Sequence, residues 1–365
     1  MKAALWYKKG DIRLEDIPVP DPGPGQVKVK VKTCGICGSD LHEYKDGPFI
    51  IPSRPHPLTN REGGPVILGH EFSGEVEKVG EGVTRFSPGD RVVVNPLLYC
   101  GQCHYCKRSQ HIMCTKLGTV GFAADGAFAE YGVFEEYSLL KLPDSVTDEM
   151  GAFVEPLAVA IHAVKRSRMR IGATTAIIGA GPIGLLVMQA CLAAGAGKVF
   201  VVEPMKARRE MALETGAQAV IDPTEIDAGK EVGRMTEGLR ADLAFDCVGH
   251  QSSFDTAVKV TGRRGGICVV GLALKPIEVP FIRLWGHEKE ITFSSGYEDE
   301  FPAAISYLAD KRVKVEKLIS ACIELDDLVE KGIAPLIEEP GKHIKVLVYP
   351  VKTAQTETRD YRIED

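Results

Sequence analysis

The stretch from Ala173 to Glu203, ATTAIIGAGPIGLLVMQACLAAGAGKVFVVE, constrains the fold more than any other part of the chain. Ala176, Ile177 and Ile178 form a short apolar run that breaks into Gly179-Ala180-Gly181-Pro182-Ile183-Gly184, and an apolar helical pattern follows from Leu185 to Ala194. A strand feeding a helix N-terminus through such a turn is the start of a parallel βαβ unit. Gly179 permits the tight turn, Gly181 lets the backbone approach a pyrophosphate, and Gly184 lets the helix pack against the strand. Exposed N–H groups at the helix start, where Pro182 and Ile183 stand, receive the phosphate charge. Glu203 ends the next strand, KVFVVE. A carboxylate there accepts hydrogen bonds from both ribose hydroxyls of the adenosine half and repels a 2′-phosphate, so the stretch predicts a dinucleotide site that favours NAD over NADP. A glycine-rich turn alone is a weak signal; the strand before it, the helix after it and the acid about 20 residues on make it specific.

A chain of 365 residues exceeds one ordinary core and fits two domains. Its net charge of −6 and pI near 5.9 supply no basic field for nucleic acid or anionic lipid. No uninterrupted apolar run of about 18 residues is present, and Met1 to Gly10 lacks the apolar core of a signal peptide. The expected location is the cytoplasm, with neither membrane nor nucleic acid as a partner.

From Lys2 to about Glu155 the sequence reads as short strands punctuated by glycine and proline, a mostly antiparallel β domain. Val27, Val29 and Val31 alternate with Lys28, Lys30 and Lys32, and strand-like runs follow at 72–79, 91–95 and 129–142. From Pro156 to about Tyr297 strands and helices alternate, with candidate strands at 175–178, 198–203, 219–222, 241–247, 266–271 and 291–294. Six strands joined this way predict an α/β, doubly wound parallel sheet. The remainder, with helical stretches near 301–311 and 326–331 and a strand at 344–349, is expected to return to the first domain. The domains are then 1–155 with 298–365, and 156–297. Lys352 to Asp365 is polar without a period and is expected to be a poorly ordered terminus.

Ten cysteines divide into a clustered six, Cys34, Cys37, Cys100, Cys103, Cys106 and Cys114, and four scattered residues, Cys191, Cys247, Cys268 and Cys322, which read as small hydrophobes in a reducing compartment. Cys100, Cys103, Cys106 and Cys114 fall within fifteen residues on a loop with Gly101. Four thiolates can wrap one tetrahedral Zn²⁺ and leave no open position, so this metal would be structural. Cys37, in TCGICGSDLH, and His70, in GHE, can join a carboxylate in holding a second Zn²⁺ with an open position, as a catalytic metal needs. Two carboxylates compete for that place: Glu71 beside His70, and Glu155 before Pro156, where proline disfavours helix for Glu155 and can itself begin one.

With CGICGSDLH, GHE, the four-cysteine loop and GAGPIG in this order, the chain resembles the zinc-dependent medium-chain alcohol and polyol dehydrogenases over about residues 1 to 350. The resemblance implies a GroES-like catalytic domain and a Rossmann domain enclosing a cleft, Cys37, His70 and Glu71 or Glu155 on the catalytic zinc, and a homodimer or homotetramer built through the Rossmann domain. It also implies a proton relay from the alcohol through Ser39 and the cofactor ribose to His42. Glu155 stands where classical liver-type enzymes carry a cysteine, which shifts the resemblance to the branch acting on secondary alcohols. Within that branch the segment 45–67, KDGPFIIPSRPHPLTNREGGPVI, looks most like that of (R,R)-butanediol dehydrogenases. Butanediol and acetoin interconversion is the leading expectation. Sorbitol or xylitol oxidation and threonine 3-dehydrogenation stand behind it, and a non-catalytic dinucleotide-binding protein is the alternative of a different class.

Overall fold

The computed structural model describes residues 1–339 and 341–351, so the expectation for the terminus 352–365 lies outside the described residues. The chain divides into two compact units, Met1–Glu155 with the chain from Ile319 onward, and Pro156–Leu318.

In the first unit, β1 (Lys2–Lys8), β2 (Asp11–Asp16) and β4 (Val66–Ile67) make a small sheet, and β3 (Gln26–Gly35) is the hub of a larger one. Val27, Val29 and Val31 point inward along β3 and the lysines between them are half-buried, as the alternation predicts. From Thr33 onward every residue of the strand is buried, because here it leaves the wet face and enters the site. Helix α1 (Gly38–Asp46) follows, then β5 (Glu71–Val79), β6 (Arg91–Val94), the short hairpin β7 (Leu97–Leu98) and β8 (Gly118–Thr119), β9 (Tyr131–Glu135) and β10 (Leu139–Lys141). The run expected at 129–142 is two strands, because a 3₁₀ turn at Glu136–Ser138 breaks it. Helix α2 (Asp148–Gly151) is capped by the Thr147 side chain, which accepts from Met150 N.

Helix α3 (Val154–Arg166) begins before Pro156, not at it. Glu155 is therefore in the first helical turn, which corrects the expectation of a non-helical junction; first-turn N–H groups have no intrahelical acceptor, so proline there removes nothing.

The second unit is built on β11 (Thr174–Ile178), β12 (Lys198–Val202), β13 (Ala219–Ile221), β14 (Ala241–Asp246), β15 (Thr261–Val269) and β16 (Glu290–Phe293). All pair in parallel in the order β13-β12-β11-β14-β15-β16, the doubly wound arrangement, with α4 (Pro182–Ala193), α5 (Lys206–Glu214), α6 (Ala228–Met235) and α7 (Gln251–Val260) as the crossovers of the first five. Ala176, Ile178, Phe200, Val202, Ala244 and Ile267 fill its core. Helix α8 (Phe281–Trp285) precedes β16, and α9 (Phe301–Ala309) follows it.

Segment 298–318, expected in the first domain, belongs to this second unit. Its Phe301, Leu308, Val313 and Val315 are buried, and a polar tie adds to them: Gln189 of α4 donates to Lys314 O at 3.1 Å and accepts from Lys314 N at 2.8 Å. At the start of α9, buried Glu300 meets His162 Nδ1 at 3.2 Å and Lys165 Nζ at 2.6 Å, joining α9 to α3. Burial pushes the Glu300 carboxyl up, but the hydrogen bonds from His162 and Lys165 prevail and hold it at about 2. A carboxylate depressed in the folded state contributes stability that is complete above its ordinary value near 4.5 and lost as pH falls toward about 2. Glu300→Gln is therefore expected to flatten the acid limb of the stability curve between those values, read by urea midpoints across pH.

The chain returns to the first unit as β17 (Ile319–Glu324) and β18 (Lys345–Tyr349). These pair in parallel with each other, and β18 joins β3 antiparallel, placing Leu347 opposite Gly35.

Candidate metal centres and cofactor turn

Three strand ends and a helix start meet at the first cluster. Gly35 at the end of β3 lies opposite Glu71 at the start of β5, and a Cβ at Gly35 would sit 2.5 Å from Glu71 Oε2, so only glycine fits beside that carboxylate. Cys37 is the N-cap of α1, and its N–H donates to Asp40 Oδ2 at 2.9 Å. Ligand atoms of Cys37, His70 and Glu71 all lie within 4.8 Å of one another, with His70 and Glu71 buried. Glu155, half-buried in α3, stands outside that group.

Each member is oriented from behind. Asp40, fully buried, faces His70 Nδ1 at 3.6 Å, which leaves Nε2 toward the open side, 3.3 Å from Ser39 Oγ. The Phe122 ring packs on the His70 ring at 5.0 Å. Lys345, from β18, donates to Glu71 Oε2 at 2.6 Å and to Ile36 O at 3.1 Å. Burial opposes the Lys345 charge, yet Glu71 and Cys37 push its pKa up. Burial also opposes a charge on His70, and Asp40 and Cys37 outweigh it, raising that histidine well above its ordinary value. Burial pushes the Cys37 thiol up. A thiol, an imidazole and a carboxylate converging in one group are donors of the kinds zinc takes, and a divalent cation bound there would displace the proton of the thiol. His42 is half-buried one turn beyond Ser39 on α1, and its imidazole makes no hydrogen bond among the described residues.

The β7–β8 hairpin closes the second cluster, which holds Cys100, Cys103, Cys106 and Cys114. Their sulfurs are 3.9 Å (Cys100 to Cys106), 3.5 Å (Cys103 to Cys106) and 3.6 Å (Cys114 to Cys100) apart. A tetrahedral zinc with bonds of about 2.3 Å needs sulfurs roughly 3.8 Å apart, so the donor set fits that ion. Amides of Cys100, Cys103, Cys106 and Lys116 donate to these sulfurs at 3.3–3.5 Å. Such amides, from Cys106 and Thr115, bring the Cys103 thiol down to about 5, whereas burial pushes Cys106 up to about 12. All ten cysteines are free of disulfides. Cys103→Ser is expected to lower the unfolding midpoint and to remove one zinc per chain, read by metal analysis beside a melt.

In the second unit, β11 ends at Ile178, Gly179 takes φ +90°, and α4 begins with Gly181 as N-cap and Pro182 in its first turn. A Cβ on Gly184 would collide with the Gly179 carbonyl, which is why the helix can approach the turn only with glycine there. Ile183 follows Pro182 in that first turn. Glu203, buried just after β12, accepts from Ala180 N at 2.7 Å and Met205 N at 3.0 Å, so its carboxylate braces the turn. An ionised carboxylate has about four lone-pair sites, which leaves two for a ribose. Gly184→Ala is expected to weaken NADH binding by at least about tenfold, equivalent to 1.4 kcal/mol, measured by nicotinamide fluorescence.

Three residues of these sites carried no sequence assignment. Asp40 was legible as an acid at the third helical position after Cys37. Lys345 had no local signal, being 274 residues from Glu71. Arg208, half-buried in α5, approaches Gly181, and burial lowers its pKa while Glu203 raises it; it is a cation beside the phosphate turn.

Residues 23–144 match the alcohol dehydrogenase GroES-like domain and 182–310 the zinc-binding dehydrogenase domain. The chain is 42% identical over 353 residues to (R,R)-butanediol dehydrogenase of Bacillus subtilis (strain 168), covering 96% of this chain and 100% of that one. The chain belongs to the zinc-binding alcohol dehydrogenase family. Within this family it also resembles the sorbitol dehydrogenase of the same organism, at 33% identity over 96% of this chain and 97% of the relative. Among solved structures, the crystal structure of 2R,3R-butanediol dehydrogenase from Bacillus subtilis matches with a TM-score of 0.90 and 42% identity, covering 96% of this chain and 99% of that one. No helix among the described residues is long and apolar enough to cross a membrane.

Proposed function

We propose that the protein is an NAD- and zinc-dependent dehydrogenase that interconverts (R,R)-2,3-butanediol and acetoin. The observation that carries the reaction class is the Cys37, His70 and Glu71 group, three donors of the kinds zinc takes where the ion binds four ligands. Glu71 offers the metal Oε1, since Lys345 occupies Oε2; Glu155, outside the group, is not a direct ligand in this reading. Zinc held by Cys37, His70 and Glu71 would supply Lewis-acid chemistry to an alcohol or ketone oxygen, and a bound nicotinamide would supply the hydride acceptor and donor.

The chain's own residues do the rest. Asp40 and Phe122 hold the His70 ring, and Lys345 holds Glu71. Ser39, with its hydroxyl 3.3 Å from His70 Nε2, would accept the proton of the alcohol as it hands its own to the cofactor ribose, and His42, three residues on and on the same helix face, would receive it from there. Gly179, Gly181, Pro182, Ile183 and Gly184 receive the pyrophosphate, and Glu203 the ribose. The four thiolates carry a second, structural zinc.

The substrate rests on the butanediol dehydrogenase relative, and sorbitol or xylitol is the second reading because a sorbitol dehydrogenase is also similar. Initial rates with butanediol stereoisomers, acetoin, sorbitol, xylitol and threonine, each with both nicotinamide cofactors, test it. The highest kcat/KM is expected with (R,R)-2,3-butanediol and NAD; a preference for a polyol or for NADP overturns it. The protein is further proposed to form a homodimer or homotetramer. β16 is one of the two edge strands of the parallel sheet, and Phe281, Ile282, Trp285 and Phe293 in and before it are 67–75% exposed. Sedimentation of the purified protein as a monomer would remove that assignment.

A further inference from the structure

Asp246 closes β14 and is fully buried, yet it pairs with no cation among the described residues. One carboxylate oxygen, Oδ1, accepts from Val248 N at 3.0 Å and from Gly249 N at 3.1 Å. The other, Oδ2, has no hydrogen-bond partner among the described residues. The backbone carbonyl of Asp246 accepts from Val270 N and Gly271 N, both at 2.9 Å, just past the end of β15. On the opposite side Cys247 N donates to Ile178 O at 3.0 Å, at the end of β11. The turn 247–249 is thus tied to both strands that flank β14 and to the Asp246 side chain itself.

This turn lies against the glycine turn. A Cβ on Gly179 would fall 2.4 Å from Val248 Cγ2, and one on Gly271 would fall 2.4 Å from Val248 C, so at both places only glycine fits beside Val248. In a doubly wound sheet the ligand crevice opens beyond the C-terminal ends of the strands where the order reverses, here between β11 and β14. Gly179–Gly184 leaves β11 and the 247–249 turn leaves β14, so the two are facing walls of that crevice. Glu203 follows β12, on the far side of β11 from Asp246. A dinucleotide with its pyrophosphate on the glycine turn and its adenosine ribose on Glu203 therefore carries its nicotinamide half toward the 247–249 turn. Aspartates in exposed turns bond nearby amides in the same way, but with water to share the charge. A buried carboxylate without a cation costs desolvation that a turn closed by backbone bonds would not incur. What it adds is a fixed place for two successive amides, and with them for Val248.

We propose that Asp246 is a positioning residue for the nicotinamide half of the cofactor, holding Val248 and Gly249 as the wall that faces the glycine turn. The inference rests on the reading of Gly179–Gly184 and Glu203 as the cofactor site.

The test measures the Kd of NADH by nicotinamide fluorescence and that of AMP, which carries the adenosine half alone, by competition. The zinc-loaded wild type is compared with Asp246→Ala, Asp246→Asn, Gly271→Ala and Gly184→Ala. Asp246→Ala removes the acceptor of both amides and is expected to raise the NADH Kd by about tenfold while AMP stays within about twofold. Asp246→Asn keeps an oxygen for the two amides and is expected to hold the NADH Kd within about threefold of wild type. Gly271→Ala presses on the turn from β15 without altering the carboxylate, and should weaken NADH and spare AMP as Asp246→Ala does; it decides the matter if Asp246→Ala does not fold. Equal loss of NADH and AMP in both Asp246→Ala and Gly271→Ala overturns the inference, since a general collapse of the unit would give that result. An Asn variant as weak as the Ala variant overturns it too. Unchanged NADH affinity in Gly184→Ala overturns the cofactor reading and this inference together. Loss in Gly184→Ala with NADH unmoved in Asp246→Ala and Gly271→Ala overturns the role of Asp246 alone.

Discussion

Cys37→Ser is expected to lower kcat for alcohol oxidation by at least about a thousandfold and to reduce the zinc content from two ions per chain to one. Zinc acting as a Lewis acid supplies several kcal/mol to the transition state, and each 1.36 kcal/mol is a factor of ten in rate. Serine keeps the N-cap position of α1 and the backbone bond to Asp40, so the fold and the four-cysteine site should survive. NADH binding should survive as well, because the glycine turn lies in the other unit. Metal analysis, single-turnover rates and cofactor titration on one preparation read all three. The companion variants separate the two acids: Glu71→Gln should lose the same zinc, and Glu155→Gln should keep it. Retention of both ions in Glu71→Gln would move the third ligand to Glu155.

Lys345→Met is expected to cost about 3–5 kcal/mol of stability, the usual result of removing one partner of a buried pair and leaving the other charge alone. Glu71 and Lys345 are 1% and 3% exposed at the side chain and 2.6 Å apart, so little water can compensate. Lys345 also donates to Ile36 O, one residue before Cys37, and its loss should loosen that ligand. Because a bound cation offsets the Glu71 charge, the loss should be larger after chelation than in the zinc-loaded protein. Urea unfolding with and without a chelator measures the difference. The double variant Lys345→Met with Glu71→Gln should recover much of the chelated protein's stability, a coupling that a merely mispacked strand would not show.

Much of this architecture was legible locally. The alternation of valine and lysine at 27–32 marked β3, and the six parallel strands fell within a few residues of their expected places, because hydrophobic period and glycine punctuation act over short distances. The cysteine loop was legible for the same reason: four ligands within fifteen residues need no knowledge of the rest of the chain. Segment 298–318 was misplaced because its attachment depends on Gln189, more than a hundred residues away, and no local pattern reports that bond. The helix across Pro156 was missed because proline in a first turn looks, in sequence, like proline after a break.

The glycine turn from Gly179 to Gly184 with Glu203, and the identities of Cys37 and His70, were set by sequence alone, since each depends on residue type at fixed local spacing. Tertiary structure brings the Glu71 carboxylate to within 4.8 Å of the Cys37 and His70 donor atoms, and it sets Lys345 beside that acid. A strand arriving from the far end of the chain brings a cation to Glu71, and a buried carboxylate can keep its charge beside a thiol and an imidazole only where such a partner reaches it.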